Sequence, residues 1–141
     1  MLSQRLARKF RLVVDDNVDL RNFVVLYLRQ AGYRVFAASN FDEASSVLMD
    51  SANKIDLLAT DVELPDSANR LQRVGGLQLA EIARQAANVT RAVFMTGGIL
   101  DEEIEKAAMN HGALLVKPFG MKVLLQAIRN ALDRPDSTRN S

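Results

Sequence analysis

Several short apolar runs in this chain end in a residue that can bind a metal ion or an anion. The residues at the ends of these runs carry three carboxylates, a hydroxyl and an ammonium. They are Asp15, Asp16, Asp61, Thr96 and Lys117. Short apolar runs that end in polar turns are typical of buried parallel strands. Because ligands of an open α/β sheet bind at the carboxyl ends of its strands, we expect the five side chains to converge on one hydrated site.

The three carboxylates predict a magnesium site. Asp15 and Asp16 are adjacent, and their mutual repulsion is costly unless a cation offsets it. Asp61 would arrive from a neighbouring strand as the third carboxylate. Mg²⁺ is held by few carboxylates, several waters and a phosphate, which suits such a set. The alternative is that the three aspartates merely cap loops, but their shared position at strand ends argues against it.

Asp61 has a second possible role, as a nucleophile that forms an aspartyl-phosphate. Phosphoryl transfer requires mainly in-line positioning and charge neutralisation. Lys117 would supply a cation, Thr96 a hydroxyl donor, and the small Gly97 space for a phosphoryl group. A lysine after a strand is by itself ordinary solvated surface. As a member of this set it points to phosphoryl chemistry.

Composition bounds the class of protein. A chain of 141 residues suits one domain, and its 48% hydrophobic and 25% charged content is ordinary for a soluble globular protein. The 18 basic and 17 acidic residues give no overall attraction to nucleic acid or membrane. The chain has no cysteine, no signal peptide and no apolar stretch long enough to span a bilayer. We expect a cytoplasmic protein without nucleic-acid or membrane partners.

Five apolar runs alternate with five amphipathic segments, which predicts an α/β fold with a doubly wound, five-stranded parallel sheet. The expected strands cover residues 10–14, 33–37, 55–61, 91–95 and 113–116. Asn17 should cap the first helix and Gly32 should end it. The expected inward stripe of that helix consists of Leu20, Phe23, Val24, Tyr27 and Leu28.

Four segments, taken in order, resemble a two-component response-regulator receiver domain. They are Val14-Asp15-Asp16-Asn17, Asp61 with Leu64-Pro65, Thr96-Gly97, and Lys117-Pro118-Phe119. The resemblance covers roughly residues 10–132, and the ordered four-part set is highly specific. It implies a flavodoxin-like (βα)5 fold with strand order 2-1-3-4-5.

The resemblance also implies a role for each acidic position. Asp61 would accept a phosphoryl group from the phosphohistidine of a sensor histidine kinase or a histidine phosphotransfer protein. Asp16 would bind Mg²⁺ directly, Asp15 would assist through water, and the backbone carbonyl of Glu63 would complete the metal shell. Asp61 would itself be a metal ligand.

Thr96 and Lys117 would bind the phosphoryl oxygens, and movement of the threonine would trigger a two-state switch. The face formed by the fourth helix, fifth strand and final helix would carry the signal to a downstream protein. Turnover of an external substrate is not expected.

Three departures from the family pattern stand out. The family often has an aromatic residue three positions before the lysine, where this chain has Leu114, so an aromatic switch there is in doubt. The connection at 112–113 is short. An insertion at about 66–74 separates the proline from Gly75-Gly76, and Gly75 stands where an acid is common. The insertion has neither helical nor strand period; it could shield the site, dock a partner or be a tolerated surface loop.

These observations divide the chain into a basic arm at 1–9, a receiver domain at 10–133 and a disordered polar tail at 134–141. The arm is expected to be an extra helical turn or disordered. We expect His111, the only histidine, to interact with the last carbonyls of a helix rather than to donate phosphate. The leading hypothesis is a stand-alone receiver, with a fragment of a larger regulator left open.

Two alternatives remain open. One is a receiver-like scaffold that works without phosphorylation. The other is a small Mg²⁺-dependent phosphatase, because Asp61-Val62-Glu63 loosely resembles the Asp-x-Asp start of aspartyl-phosphate hydrolases. Those enzymes need a second acid and a substrate-enclosing cap, for which Glu63 and the short insertion are poor substitutes.

Overall fold

The computed structural model describes residues 10–133. The predictions for the arm at 1–9 and the tail at 134–141 lie outside the described residues. No helix within the described range has the length and apolarity needed to cross a bilayer.

A five-stranded parallel sheet forms the centre of the described chain. Its strands are β1 (Phe10–Val14), β2 (Arg34–Ala38), β3 (Ile55–Asp61), β6 (Ala92–Thr96) and β7 (Gly112–Val116), and a short hairpin pairs β4 (Leu64–Pro65) with β5 (Leu71–Gln72). The sheet order is β2-β1-β3-β6-β7. Counted without the hairpin, this is the order 2-1-3-4-5, so the predicted fold is confirmed. The predicted bounds of β2 and β6 are shifted by one residue, and β7 begins one residue earlier than predicted.

Five helices connect the strands and cover both faces of the sheet. They are α1 (Val18–Gln30), α2 (Phe41–Met49), α3 (Gly75–Ala87), α4 (Glu102–His111) and α5 (Met121–Asp133). Buried residues of α2, α3 and α4 form one hydrophobic cluster, and those of α1 and α5 form the other. Within β1, Leu12 and Val14 face the first cluster and Val13 faces the second. The strands are apolar at successive positions because both of their faces are buried.

Side-chain caps fix where α1 and α2 begin. Asn17 accepts a hydrogen bond from the Leu20 N–H at 3.0 Å, as predicted for the start of α1. Asn40 caps α2 and accepts from the Glu43 N–H at 2.9 Å. These caps place α1 directly after the Asp15-Asp16 pair, at the edge of the sheet where the site forms.

The predicted inward stripe of α1 was wrong at one residue. Phe23 is 58% exposed, whereas the buried residues of the helix are Val24, Val25 and Leu28. Each residue turns the helix by about 100°, so a face centred between Val24 and Val25 leaves Phe23 on the far side. An apolar side chain therefore points outward from α1.

The insertion is also more ordered than the sequence suggested. Residues 64–65 and 71–72 pair antiparallel, with Pro65 opposite Leu71. Asn69 adopts a left-handed conformation with φ 62° inside the turn. The prediction of a loop without strand structure was therefore wrong.

The short connection before β7 is confirmed. His111 is the last residue of α4 and Gly112 the first of β7, with no loop between them. A Cβ at Gly112 would lie 1.9 Å from the carbonyl oxygen of Ala92. Only glycine allows this close approach to β6.

Candidate functional site

The carboxyl edge of the sheet brings the five predicted site residues together. Asp61 and Thr96 are the last residues of β3 and β6. Asp15 directly follows β1, and Lys117 directly follows β7. The Lys117 N–H donates to the Thr96 carbonyl at 2.7 Å, which extends the pairing of β6 and β7 up to the site.

Three carboxylates share a small volume at this edge. Oxygen atoms of Asp15, Asp16 and Asp61 all lie within 4.8 Å of one another. Asp15 and Asp61 are buried and Asp16 is exposed. The cluster is therefore open to water on the Asp16 side.

One ammonium reaches two of the carboxylates. Lys117 Nζ lies 3.0 Å from Asp15 Oδ2 and 2.8 Å from Asp61 Oδ1. It forms a hydrogen bond with Asp15. Asp61 Oδ1 is fully buried and accepts no hydrogen bond of good geometry, so its contact with Lys117 is electrostatic.

The electrostatics of the pair follow from burial and charge. Burial, and to a lesser degree the neighbouring Asp15, raise the pKa of Asp61 from 3.8 to about 8, although Lys117 opposes the shift. Burial disfavours the charge on Lys117, but the close contact with the negatively charged Asp61, with help from Asp15, outweighs this and raises the pKa of Lys117. The ammonium thus stays charged, and a proton is favoured on Asp61 because the cluster cannot stabilise three negative charges alone.

The residues present fit Mg²⁺. The donor set consists of hard carboxylate oxygens, three carboxylates face one ammonium, and a buried oxygen of Asp61 lacks a hydrogen bond. Each of these features suits a small divalent cation that keeps part of its water shell. The remaining predicted ligand, the carbonyl of Glu63, belongs to a residue that lines the adjoining pocket.

An open pocket of about 360 Å³ adjoins the acidic cluster. Asp61, Thr96, Gly97 and Lys117 line it together, along with the hairpin residue Leu71. The Thr96 hydroxyl exchanges only long hydrogen bonds with the backbone of residue 98, at 3.3 and 3.4 Å. It is therefore weakly held and available to a ligand in the pocket.

Backbone contacts support the site from below, and sequence reasoning missed them. Asp15 Oδ1 accepts from the Asn17 N–H at 2.9 Å, and Arg21 donates to the Asp15 carbonyl at 2.8 Å. A Cβ at Gly76 would lie 2.1 Å from the Asp61 carbonyl oxygen. Helix α3 thus packs directly beneath the end of β3. The Gly75-Gly76 pair was the available signal for this approach.

Comparison with known proteins agrees with this geometry. The response regulator receiver domain family matches residues 12–129. The chain is 30% identical over 134 residues to the regulatory protein VirG of Rhizobium rhizogenes, covering 93% of this chain and 52% of VirG. It is 33% identical over 126 residues to the aerobic respiration control protein ArcA of Escherichia coli, covering 87% of this chain and 48% of ArcA.

A third similar protein is matched over a much smaller share of its own length. The CAI-1 autoinducer sensor kinase/phosphatase CqsS of Vibrio cholerae is 33% identical over 125 residues, which are 83% of this chain but 16% of CqsS. The chain therefore spans about half the length of VirG and ArcA and far less of CqsS.

Solved structures show the same fold. A CheY-like receiver domain protein of Methanospirillum hungatei superimposes with a TM-score of 0.74 at 26% identity, covering 89% of this chain and 94% of that one. The non-phosphorylated HemR receiver domain of Leptospira biflexa gives 0.70 at 27% identity, covering 90% and 98%. The chain belongs to the response regulator receiver domain family of two-component signalling.

Proposed function

We propose that this receiver is phosphorylated on Asp61 in the presence of Mg²⁺ and signals through phosphorylation-dependent protein contacts. The observation that carries the proposal is the buried Asp61 carboxylate, which clusters with Asp15 and Asp16, lies 2.8 Å from the Lys117 ammonium and keeps one oxygen without a hydrogen bond among the described residues. Receiver domains are signalling modules rather than enzymes that turn over external substrates, and the family match supports that reading here.

In the proposed reaction, an Asp61 oxygen attacks the phosphorus of a phosphohistidine. The P–N bond breaks, and its electron pair remains on the imidazole of the donor. Lys117 and the weakly held Thr96 hydroxyl bind the phosphoryl oxygens. Asp16, Asp61 and the Glu63 carbonyl would hold Mg²⁺ directly and Asp15 through water. The ion would supply the charge neutralisation that phosphoryl transfer requires.

The donor would be a histidine kinase or a histidine phosphotransfer protein, and the surface beside the site suits such a protein. Phe23 and Leu26 are exposed on α1 at 58% and 56%. An apolar pocket between Leu20, Pro118 and Phe119 continues this surface up to the loop that carries Lys117. A helix bearing the donor histidine could therefore rest on apolar side chains while the histidine reaches Asp61.

The output would be read on the opposite flank of Lys117. Met109 on α4, Val116 on β7 and Val123 on α5 are all more than half exposed. Leu114, at the position where the family often has an aromatic residue, lies beside Phe94 in the sheet register and is half-buried. The signal would therefore travel through the contact of Leu114 with Phe94 and the backbone pairing of β6 and β7, and the downstream partner would be a protein.

The test is the intact mass of the protein after incubation with acetyl phosphate, with and without Mg²⁺. We expect a gain of one phosphoryl group that requires Mg²⁺ and is lost in Asp61→Asn. Asp19→Asn, an exposed position on α1, is the matched control and should label like the wild type. Beryllofluoride binding, which needs no covalent step, separates rapid hydrolysis from a site that cannot be phosphorylated.

An unlabelled protein that also fails to bind beryllofluoride would contradict the proposal and favour a phosphorylation-independent scaffold. Catalytic release of phosphate from an external ester would instead favour the phosphatase.

A further inference from the structure

We infer that Leu71, in the inserted hairpin, limits access of water to the phosphorylated Asp61 and so lengthens the lifetime of the aspartyl-phosphate. This inference rests on the proposed function and concerns the same site. It assigns a role at the phosphorylation site to the inserted hairpin, a segment that the family pattern does not contain.

Leu71 is an apolar side chain beside a charged pocket. It lines the pocket together with Asp61, Thr96 and Lys117, yet it is 59% exposed and belongs to neither hydrophobic cluster of the described core. Burial in the core therefore does not account for its type. A leucine at the mouth of a hydrophilic site excludes water from that mouth.

The hairpin holds Leu71 in place. Asp66 accepts hydrogen bonds from the N–H groups of Ala68 and Arg70, both at 2.9 Å, and its own N–H donates to the Arg70 carbonyl. These bonds close the turn between β4 and β5. The side chain of Leu71 thus projects from a defined strand rather than from an irregular loop.

Two further contacts fasten the hairpin to the domain. The Ser67 N–H donates to the Asp42 carboxylate at the start of α2, at 2.7 Å. Leu64, in the partner strand, is fully buried in the core. The hairpin is therefore connected to α2 at its tip and to the core at its base.

The in-line geometry of hydrolysis makes the open side of the pocket important for the lifetime of the aspartyl-phosphate. In hydrolysis, a water oxygen attacks the phosphorus opposite the Asp61 oxygen, and the P–O bond to Asp61 breaks. The electron pair returns to the carboxylate, a proton of the water passes to solvent or to Glu63, and inorganic phosphate leaves. Because displacement at phosphorus is roughly in line, this water must approach from the side of the pocket that faces away from Asp61.

A small phosphodonor uses the same side. When acetyl phosphate reacts, Asp61 attacks phosphorus while acetate departs in line on the opposite side with its electron pair. The attacking water and the departing acetate thus occupy equivalent positions in the pocket, whose lining includes Glu63, Gly98 and Leu71, and the inference places Leu71 on that side. A side chain that narrows that side of the pocket slows both reactions.

The experiment compares the full chain with Leu71→Ala and Leu71→Phe. We expect Leu71→Ala to shorten the phosphoryl half-life about threefold, which corresponds to about 0.7 kcal/mol of barrier. It should also speed labelling by acetyl phosphate, and Leu71→Phe should slow both reactions. Beryllofluoride affinity should change little, since that ligand needs no in-line partner. Met49→Ala, 66% exposed at the end of α2, is the control.

The outcomes separate this inference from the proposed function. If the wild type labels but all variants share its half-life, Leu71 has no such role and the phosphorylation proposal stands. If Leu71→Ala changes beryllofluoride affinity as much as the rates, its effect is on the fold of the site and the inference is overturned. If the wild type neither labels nor binds beryllofluoride, the proposed function fails and the inference with it.

Discussion

Strands β1 and β3 carry buried charges at both of their ends, and the two ends differ in how those charges are balanced. At the amino end, one nitrogen of Arg11 lies 3.0 and 3.1 Å from the two Asp56 oxygens, and both side chains are at most 7% exposed. The same guanidinium lies 4.4 Å from the centre of the Tyr33 ring. Within the described residues, this cation and this carboxylate pair with each other.

At the carboxyl end, three carboxylates cluster together, and among the described residues Lys117 is the cation that forms ion pairs with them. Lys117 reaches Asp15 and Asp61, and one buried oxygen of Asp61 remains without a hydrogen bond. Pairing a buried charge within the chain removes the need for any external ion, whereas an excess of one sign creates that need. The comparison indicates that charge imbalance, not burial of charge, distinguishes the site from the structural pair.

The largest effect is expected from breaking the balanced pair. Asp56→Ala leaves the Arg11 guanidinium buried without its carboxylate, which should lower the free energy of unfolding by about 3–5 kcal/mol. Urea denaturation measures the loss. Phosphorylation of the folded fraction should be unchanged, because the pair lies at the far end of β1 and β3.

Two controls sharpen this prediction. Arg11→Met combined with Asp56→Leu replaces both charges by apolar groups and should cost much less than the single change. Glu102→Ala removes the partner of Lys106 in an exposed pair and should cost less than about 1 kcal/mol. A loss in Asp56→Ala as small as that of Glu102→Ala would show that Arg11 finds water or another partner.

Two glycine substitutions test backbone packing at the two edges of the sheet, Gly76 at the carboxyl edge and Gly112 at the amino edge. Gly76→Ala would press a methyl group against the Asp61 carbonyl, and Gly112→Ala would press one against the Ala92 carbonyl. Each should cost about 1–3 kcal/mol of stability, as overpacking does. Only the Gly76 variant should also slow Asp61 phosphorylation, since it displaces the end of β3. Equal labelling rates in the two folded variants would contradict a link between α3 packing and the site.

The carboxyl edge was predictable from sequence because each polar residue directly follows an apolar run. Strand direction alone then brings Asp15, Asp61, Thr96 and Lys117 to one edge. The Arg11–Asp56 pair was not predicted, because it depends on a register shift between β1 and β3 that no local pattern encodes. An arginine and an aspartate within otherwise apolar strands were its only signal.

The insertion shows a second limit of sequence reasoning. Asp66 and Asn69 are ordinary turn formers, and the paired strands are two residues long, too short for a visible alternation. The contact of Ser67 with Asp42 joins residues 25 positions apart. The placement of Leu71 at the pocket thus follows from tertiary contacts, although the insertion itself was evident.

The smallest expected effect concerns the carboxyl edge, where the charges are unbalanced. There we expect the substitution to stabilise the protein, whereas the preceding substitutions destabilise it. Burial and Asp15 raise the pKa of Asp61 from 3.8 to about 8, so the folded protein holds a proton there that the unfolded chain has lost. Stability should therefore fall as the pH rises from about 4 to about 8. Asp61→Asn removes this titration and should raise the free energy of unfolding by about 1–2 kcal/mol at pH 8 without Mg²⁺, and by less at pH 5.

Mg²⁺ provides the decisive control for that last prediction. An ion bound by the folded protein stabilises the wild type and offsets the repulsion among Asp15, Asp16 and Asp61, so the advantage of Asp61→Asn should shrink as Mg²⁺ is added. Thermal unfolding at both pH values, with and without the ion, measures all four differences. If Asp61→Asn were destabilising at pH 8 without Mg²⁺, Lys117 alone would already balance the cluster. The contrast with Arg11 and Asp56 would then be lost, because both edges would hold charges that the chain satisfies by itself.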